Sequence, residues 1–224
     1  IPLRLVGSEM CIRDRLGTVG FYLLEHRNPA TMGSLSIAGK LQASFFQSVT
    51  TRTAGFASIS QSGLTNGSKL LACMLMIIGG SPAGTAGGIK TTTVAVLLLT
   101  AISVLRGNKD TECYGRKITF EIIRVGMTIT LVTFVFWLFG VTVMTVIEPQ
   151  QKVLDLMYEA TSAMATVGLT ADLTPVLSDI SHVVLMLMMY IGRIGPMTMA
   201  LIFSGHADKK NQFRTLPEAK IMVG

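Results

Sequence analysis

Charged residues are scarce in this sequence. Asp, Glu, Lys and Arg account for 14% of its 224 residues, while hydrophobic residues account for 50%. Soluble domains carry about 25% charged residues, so this composition excludes an ordinary soluble protein and predicts a chain that folds in a lipid bilayer. The three cysteines, Cys11, Cys73 and Cys113, lack the spacing of a disulfide framework or a metal site, and we assign them no chemistry.

Two windows lack charge for long enough to cross a membrane. Residues 125–147 contain no charged residue, and residues 183–203 contain one, Arg193. About 20 apolar residues in a helix cross the roughly 30 Å of hydrocarbon in a bilayer. We therefore expect both windows to span the membrane as helices.

The net charge of +6 is unevenly distributed. Basic residues are concentrated in a short connection, 106–117, and in the tail, 205–224. Because cytoplasmic loops of membrane proteins are enriched in Lys and Arg, both segments are expected to be cytoplasmic, and no nucleic acid partner is needed to explain the charge. The basic residues concerned are Arg106, Lys109, Arg116, Lys117, Lys209, Lys210, Arg214 and Lys220.

The first fifteen residues, IPLRLVGSEMCIRDR, follow no usable period and begin without Met. They are typical of translated adapter sequence rather than of a signal peptide, which has a long apolar core. We expect residues 1–15 to be non-native and leave them out of the predicted fold. The following LGTVGFYLL is too short to span, so the chain is expected to start inside a truncated helix and to be a fragment.

The sequence contains a weak internal repeat. Aligning SVTTRTAGF with SAMATVGLT matches two T-x-G triplets and places Gly55 opposite Gly168, an offset of 168 − 55 = 113 residues. The same offset places Gly79 opposite Gly192. Because two separate glycine-bearing motifs obey one period, we interpret the chain as two copies of one unit.

Each unit is interpreted as a membrane helix M1, a short pore helix, a T-x-G filter segment and a second membrane helix M2. The pore helices are too short to cross, so each is expected to enter and leave the membrane on the outer side. The predicted fold class is therefore an all-α membrane protein with two M1–pore helix–M2 repeats. The first copy is predicted at 16–106, with a truncated M1, a pore helix at about 40–50, a filter at 51–55 and a broken M2 at about 68–106. The second copy is predicted at 118–204, with M1 at 118–147, a pore helix at 152–164, a filter at 165–169 and M2 at 180–204. A cytoplasmic connection at 107–117 joins the two copies, and a cytoplasmic tail at 205–224 follows the second.

The T-x-G segments are the candidate ion filter. Non-helical backbone at membrane depth is tolerated only where protein or water satisfies its carbonyls, and a dehydrated potassium ion can do so when several such segments converge. Glycine gives the backbone the freedom to direct successive oxygens inward, and threonine adds a hydroxyl. We expect potassium to be held at Thr53, Gly55, Thr166 and Gly168; a re-entrant turn that binds no ion is the alternative. The full set of filter residues is Thr51, Arg52, Thr53, Ala54, Gly55, Ala165, Thr166, Val167, Gly168 and Leu169.

A closed ring around an ion needs four such segments, and two are found in this sequence. Either two chains share one pore, or two N-terminal repeats of the same polypeptide are missing. The truncated first helix favours the second interpretation.

Residues 70–105 are apolar over 36 residues, about 54 Å as a continuous helix, which is too long for a bilayer. The stretch GGSPAGTAGGIKTTT is where we expect a break, because its glycines and proline disfavour helix.

This stretch is similar to a phosphate-binding P-loop, but Ile89 separates Gly88 from Lys90, which argues against nucleotide binding. The break is predicted to form an intramembrane gating loop, in which Lys90 either takes part or only snorkels to the interface. The predicted gating residues are Gly79, Gly80, Ser81, Gly84, Thr85, Gly87, Gly88, Lys90 and Arg193.

Arg193 is the one charge in the last predicted span. A charge at this depth costs at least about 2.5 kcal/mol on insertion scales, so Arg193 is expected to face the protein interior and a partner. The repeat places it opposite Gly80, at the break in the other copy. A positive charge beneath a cation filter would slow the passage of ions. The alternative is a structural arginine that holds helices together through carbonyl groups.

Five motifs together carry a resemblance to a known family. FFQSVTTRTAGF, GGSPAGTAGGIKTTT, ATVGLT, GRIGPMT and the terminal LPEAKIMVG resemble the C-terminal half of the membrane subunit of bacterial Ktr/Trk potassium uptake systems, from about residue 16 to the end. This family, within the Ktr/Trk/HKT superfamily, has four M1–pore helix–M2 repeats with one filter glycine each. The resemblance therefore implies that this chain is half of a four-repeat potassium-channel-like pore. The resemblance implies that Gly55 and Gly168 are the third and fourth filter glycines, residues 79–90 are the gating loop and Arg193 is the arginine of the fourth repeat.

The resemblance also implies the partners and setting of the protein. It implies a homodimer with one pore per subunit, a cytoplasmic nucleotide-binding regulatory ring and a bacterial inner membrane location. Potassium is the implied transported ion and sodium an activator, with no organic cofactor in this chain. The predicted function is potassium uptake driven by the membrane potential, without enzymatic activity. The alternative is a secondary transporter with discontinuous helices that couples a solute to an ion; a non-transport scaffold is more distant.

Overall fold

The computed structural model describes residues 2–80, 87–108, 110–113 and 116–194. These residues form helices joined by turns, with one short antiparallel ribbon between the two halves of the chain. The predicted residues Ser81, Gly84 and Thr85 and the tail from 195 onward lie outside the described residues. The elements are α1 (Pro2–Glu25), α2 (Ile37–Thr50), α3 (Asn66–Ile77), α4 (Thr91–Leu105), β1 (Glu112–Cys113), β2 (Arg116–Lys117), α5 (Phe120–Ile147), α6 (Val153–Met164), a 3-10 turn (Thr174–Val176) and α7 (Asp179–Ile194).

The described residues are mostly helical, as the predicted all-α fold requires, and the β1–β2 ribbon adds one short antiparallel pairing. Glu112 pairs with Lys117 and Cys113 with Arg116, within the connection predicted at 107–117. The ribbon pairs backbone groups on two sides of this short polar connection.

Helix α1 extends further toward the N-terminus than predicted. The expected fold began at residue 16, whereas α1 begins at Pro2, whose fixed φ suits the first position of a helix. Within the extension, Arg13 is buried and donates a hydrogen bond to the Leu75 carbonyl. The structure thus includes a segment that the predicted fold omitted, while its non-native origin stays a prediction.

Helix α5 has the length and composition of a membrane span. It runs for 28 residues, about 42 Å at 1.5 Å per residue. Among the described ranges it is the one helix that is both long and apolar enough to cross a bilayer. The described part of α7 covers Asp179–Ile194, so the remainder of the predicted span 180–204 lies beyond it.

The order of elements in the first half of the chain recurs in the second. A long helix (α1 or α5), a short helix (α2 or α6), a turn and a further helix (α3 or α7) follow one another in both halves. In the first half the third helix is interrupted, because α3 ends at Ile77 and α4 begins at Thr91.

The end of each long helix is fastened to the start of the third helix in the same way. Glu25 Oε1, at the end of α1, accepts hydrogen bonds from the Thr65 amide and hydroxyl, both at 2.8 Å. Glu148 Oε1, directly after α5, accepts from the Ser178 amide at 2.8 Å and the Ser181 hydroxyl at 2.9 Å. Thr65 and Ser178 are 178 − 65 = 113 residues apart, which is the offset of the T-x-G triplets.

The two halves pack through α3 and α6. Lys69 Nζ on α3 lies 2.6 Å from Asp155 Oδ1 on α6, and the Lys69 side chain is 7% exposed. An apolar core beside this pair combines Phe21 and Met76 of the first half with Tyr158 of the second. Val167 of the second T-x-G segment belongs to this shared core.

Candidate ion filter and gating loop

Both T-x-G segments follow directly from the end of a short helix. The C-cap of α2 is Thr51, and the C-cap of α6 is Ala165. After α2 the Ala54 amide donates back to the Thr50 carbonyl, and after α6 the Val167 amide donates back to the Ser162 carbonyl. Each helix end therefore fixes the start of its segment through backbone hydrogen bonds.

The two segments have left-handed residues at matching positions. Thr53 and Gly55 have φ angles of 61° and 72°, and Thr166 and Gly168 have φ angles of 54° and 90°. Threonine is β-branched, and a non-glycine residue held in a sparsely populated region costs about 1–3 kcal/mol. Such strain persists only where the surrounding structure fixes it, and it is concentrated at functional sites.

The segments meet at their glycines. A Cβ atom on Gly55 would lie 2.6 Å from the Val167 carbonyl oxygen and 3.4 Å from Gly168 Cα. A Cβ atom on Gly168 would lie 3.7 Å from Gly55 Cα. The absence of a side chain at Gly55 therefore lets the two backbones approach each other closely.

Two of the three remaining predicted filter residues of the first segment, Thr51 and Arg52, are held by side-chain contacts with the protein around them. Thr51 is buried and donates its hydroxyl to the Ser48 carbonyl at 2.7 Å. Arg52 Nη2 lies 3.0 Å from Asp14 Oδ2 on α1, so its charge is paired outside the filter backbone. Ala54 is exposed.

The second segment has its remaining predicted residues in the core. Ala165, Val167 and Leu169 are buried, and all three belong to the apolar cluster that contains Tyr158. Packing of these side chains on one side leaves the Thr166 and Gly168 positions less buried than their neighbours.

Backbone hydrogen bonds join the two ends of the predicted gating loop, which we call its neck. The Gly79 amide donates to the Ile89 carbonyl at 2.9 Å, and the Ile89 amide donates to the Ile77 carbonyl at 3.0 Å. A Cβ atom on Gly79 would lie 2.1 Å from the Gly87 carbonyl oxygen. Gly88 has a φ of 73°, so the neck depends on glycine for close approach and for a left-handed turn.

The loop contacts the base of the second T-x-G segment. The Gly87 amide donates to Thr166 Oγ1 at 3.2 Å, and a Cβ atom on Gly87 would lie 2.9 Å from the Ala165 carbonyl oxygen. Gly80 accepts a hydrogen bond from the Thr91 amide at 3.4 Å. The half-buried Lys90 is the N-cap residue of α4. The structure thus joins two elements that the sequence predicted separately.

Arg193 borders a cavity of about 540 Å³ that also includes Thr166, Gly168 and Glu159. Its side chain is exposed in this chain, which differs from the expectation that it faces the protein interior. The preceding Gly192 is buried, and a Cβ there would lie 1.9 Å from the Met164 carbonyl oxygen at the end of α6. Helix α7 therefore approaches the second segment closely enough to bring Arg193 to the same cavity.

Two polar clusters beside the segments were outside the predicted set. Glu159 is buried and accepts hydrogen bonds from the Thr170 hydroxyl and the Ala171 amide, which lie just after the second segment. Gln47 and Gln61 exchange hydrogen bonds across the first segment. Glu159, a carboxylate in a short predicted membrane helix, was a usable signal for the first cluster, because such a group requires partners when it is buried. Gln61 lies outside the helices, so the second cluster had no comparable signal.

Similarity to known proteins covers most of the chain. Residues 16–214 match the family model of TrkH, a cation transport protein. The fold matches the crystal structure of the potassium transporter TrkH from Vibrio parahaemolyticus with a TM-score of 0.71 and 16% sequence identity, over 88% of this chain and 43% of that chain. At this identity the match establishes a shared fold.

Curated relatives are similar at the level of sequence. The chain is 37% identical over 222 residues to the Ktr system potassium uptake protein B of Bacillus subtilis (strain 168), covering 99% of this chain and 48% of that protein. It is 38% identical over 209 residues to the protein of the same name from Vibrio alginolyticus, covering 93% and 45%. It is 35% identical over 212 residues to the potassium/sodium uptake protein NtpJ of Enterococcus hirae, covering 93% and 47%. The chain spans about half the length of these relatives.

Proposed function

Because this chain belongs to the TrkH family of cation transport proteins, we propose that it supplies half of a potassium pathway through a bacterial inner membrane. Membership confirms the family resemblance carried by the sequence motifs and agrees with the prediction that the chain is not an enzyme. Potassium is the proposed cargo because the relatives from Bacillus subtilis and Vibrio alginolyticus are named as potassium uptake proteins.

The observation that carries the proposal is the meeting of two T-x-G segments in matching conformations. In each segment, two residues with positive φ flank one residue without it: Thr53 and Gly55 flank Ala54, and Thr166 and Gly168 flank Val167. This alternation rotates the peptide groups so that successive carbonyl oxygens can face the same side of the segment. Oxygens arranged in this way replace the hydration shell of a potassium ion. The Thr53 and Thr166 hydroxyls add further oxygens at the inner end of each segment.

Two segments do not enclose an ion, so the complete filter requires two more units. We propose that these come from the same polypeptide, since the chain covers 48% of its Bacillus subtilis relative. The M1–pore helix–M2 interpretation of each unit is supported by the shared 113-residue offset of the T-x-G triplets and of the Thr65 and Ser178 hydrogen bonds.

The test is the ion selectivity of the Gly168→Ser variant of the intact transporter that carries this sequence. In proteoliposomes, the sodium-to-potassium permeability ratio should rise at least about tenfold, because a side chain at positive φ displaces the carbonyls that replace the hydration shell. The matched control is Gly107→Ser, since Gly107 has a φ of 71° and a Cβ there would have no neighbouring atom within 4 Å. An unchanged ratio in Gly168→Ser would refute the filter.

The loop at 79–90 and Arg193 are the proposed gate. The hydrogen bond from Gly87 to Thr166 supports a loop that lies against the start of the second filter segment. Arg193 and Gly168 line one cavity, which supports an influence of the arginine charge on ions in the filter. Arg193→Ala should raise potassium flux or relax its regulation, because a positive charge repels a cation. Arg193→Lys, which keeps the charge, is the control; unchanged flux in Arg193→Ala would leave this residue with a structural role.

A secondary transporter is the second candidate, favoured by the interruption between α3 and α4. The two mechanisms differ in driving force. For a passive filter, the reversal potential of the ion current follows the potassium gradient alone. A coupled transporter would shift that potential when the gradient of its second solute changes.

The partners implied by the family are proposed here as well. We propose a homodimer bound to a cytoplasmic nucleotide-binding regulatory ring, with sodium as an activator and the C-terminus in the cytoplasm. Light scattering of the purified transporter would measure the dimer, and uptake with and without sodium would measure activation. A monomeric mass, or uptake independent of sodium, would contradict the corresponding proposal.

A further inference from the structure

A buried hydrogen-bonded cluster joins the two units behind the filter segments. Gln47 Nε2 donates to Gln61 Oε1 at 2.7 Å, and Gln61 Nε2 donates to Gln47 Oε1 at 3.1 Å. Tyr158 donates its hydroxyl to Gln61 Oε1 at 2.8 Å. Gln47 and Tyr158 are 0% exposed and Gln61 is 4% exposed. We call these three side chains the Gln–Gln–Tyr clamp.

The clamp links the residues before and after the first segment to the core residues that pack against the second segment. Gln47 lies in the last turn of α2, immediately before the first segment, and Gln61 lies in the chain that follows it. Tyr158 lies on α6 and belongs to the apolar cluster that contains Val167 and Leu169. A displacement of either unit therefore strains the same set of hydrogen bonds.

Gln61 is the centre of the clamp because its amide is fully engaged. Its oxygen accepts from both Gln47 and Tyr158. Its nitrogen donates to Gln47 and to the Ile59 carbonyl, the latter at 2.8 Å. Four directional bonds on one buried amide fix the position of the chain after the first segment more closely than apolar contacts would.

We propose that the Gln–Gln–Tyr clamp is a positioning device that sets the spacing of the two filter segments and thereby the ion selectivity of the pathway. The proposal rests on the proposed function, because selectivity has meaning only if the segments bind ions. Discrimination between cations depends on the number and placement of coordinating oxygens. The clamp residues touch no ion themselves; they act through the backbone that they hold.

The test variant is Tyr158→Phe in the intact transporter. It removes one hydroxyl while the ring remains in the core, and Gln61 Oε1 still accepts from Gln47. The sodium-to-potassium permeability ratio should rise by roughly three- to tenfold, the scale set by one hydrogen bond. The potassium concentration for half-maximal uptake should rise as well.

Ser181→Ala is the matched control. Ser181 is also fully buried, on α7, and its hydroxyl donates to Glu148 Oε1, directly after α5, at 2.9 Å, a bond within the second unit. This variant should lower thermal stability and leave the permeability ratio unchanged. A second variant, Gln61→Met, removes all four amide bonds and should raise the ratio further than Tyr158→Phe.

Three outcomes decide the question when Gly168→Ser is measured in parallel. A raised ratio in Gly168→Ser, Tyr158→Phe and Gln61→Met, with no change in Ser181→Ala, supports the clamp. A raised ratio in Gly168→Ser alone overturns the clamp and leaves the filter in place. An unchanged ratio in all variants overturns both proposals.

Discussion

Gly55 and Val167 are in backbone contact: a Cβ on Gly55 would lie 2.6 Å from the Val167 carbonyl oxygen. The equivalent glycine, Gly168, has more room, since its nearest neighbour to a Cβ is Gly55 Cα at 3.7 Å. The two glycines share a left-handed conformation but differ in their steric surroundings.

This difference predicts unequal effects of alanine at the two glycines. Gly55→Ala should reduce the yield of folded transporter, because a methyl group would press on backbone that cannot move aside. Gly168→Ala should fold with a cost of about 1–2 kcal/mol from its positive φ and should mainly affect selectivity. Size-exclusion profiles and thermal unfolding of both variants test this; equal yields would contradict the steric distinction.

The contact between Gly87 and Thr166 predicts a change of flux in Gly87→Ala. The added methyl group would lie 2.6 Å from Thr166 Oγ1 and 2.9 Å from the Ala165 carbonyl oxygen, so the loop must move away from the filter base. Potassium flux should rise while the sodium-to-potassium permeability ratio stays constant. A change of selectivity at constant flux would contradict a gating role.

The approach of α7 to α6 predicts a stability loss in Gly192→Ala. A Cβ there would lie 1.9 Å from the Met164 carbonyl oxygen, and overpacking of this kind costs about 1–3 kcal/mol. Gly126→Ala in α5 is the matched control, because its Cβ would lie 3.4 Å from Thr93 Cγ2. It should gain up to about 1 kcal/mol from helix propensity. Thermal midpoints measured side by side should move in opposite directions.

The Lys69–Asp155 pair predicts a non-additive double mutant. Lys69→Met should destabilise the transporter by up to about 3 kcal/mol, because it leaves a partly buried carboxylate without its cation. Lys69→Met combined with Asp155→Leu should recover most of that loss, since an apolar pair can replace a buried ion pair. Additive effects in the double-mutant cycle would show that the two charges do not interact.

Glu148 predicts acid sensitivity of the connection between α5 and α7. Hydrogen bonds from the Ser178 hydroxyl and amide and from the Ser181 hydroxyl hold the pKa of Glu148 below its ordinary value of 4.5. A depressed folded-state pKa contributes stability above the unfolded-state pKa, and that stability is lost as the pH falls through the folded-state value. Thermal midpoints of wild type and Glu148→Gln should therefore differ at pH 7 and converge as the pH falls below 4.5. A constant difference down to about pH 3 would contradict this assignment.

Local sequence signals located several elements within a few residues. The uncharged run at 125–147 led to a predicted helix at 118–147, and α5 is Phe120–Ile147. The first pore helix was predicted from residue 40, whereas α2 begins at Ile37 after Ser36, whose hydroxyl accepts from the Gly39 amide. An N-cap serine was a readable signal there.

Contacts between the units had no local signal. Tyr158 and Gln61 are 97 residues apart, and Lys69 and Asp155 are 86 apart, so neither pair can be identified before the packing of the two units is known. The repeat predicted that the T-x-G segments correspond, but it gave no information on which side chains join them. Side-chain partners depend on the relative rotation of helices, which periodicity alone does not define.

The hydrogen bond from Gly87 to Thr166 has a thermodynamic consequence. The coupling free energy between two sites is reciprocal. If docking of the loop stabilises one conformation of Thr166, that conformation stabilises the docked loop by the same free energy. A cation that favours a different orientation of the Thr166 hydroxyl would therefore weaken loop docking by the same amount that docking weakens its binding. If the proposed filter binds such a cation, its occupancy and the docking of the loop are thermodynamically linked.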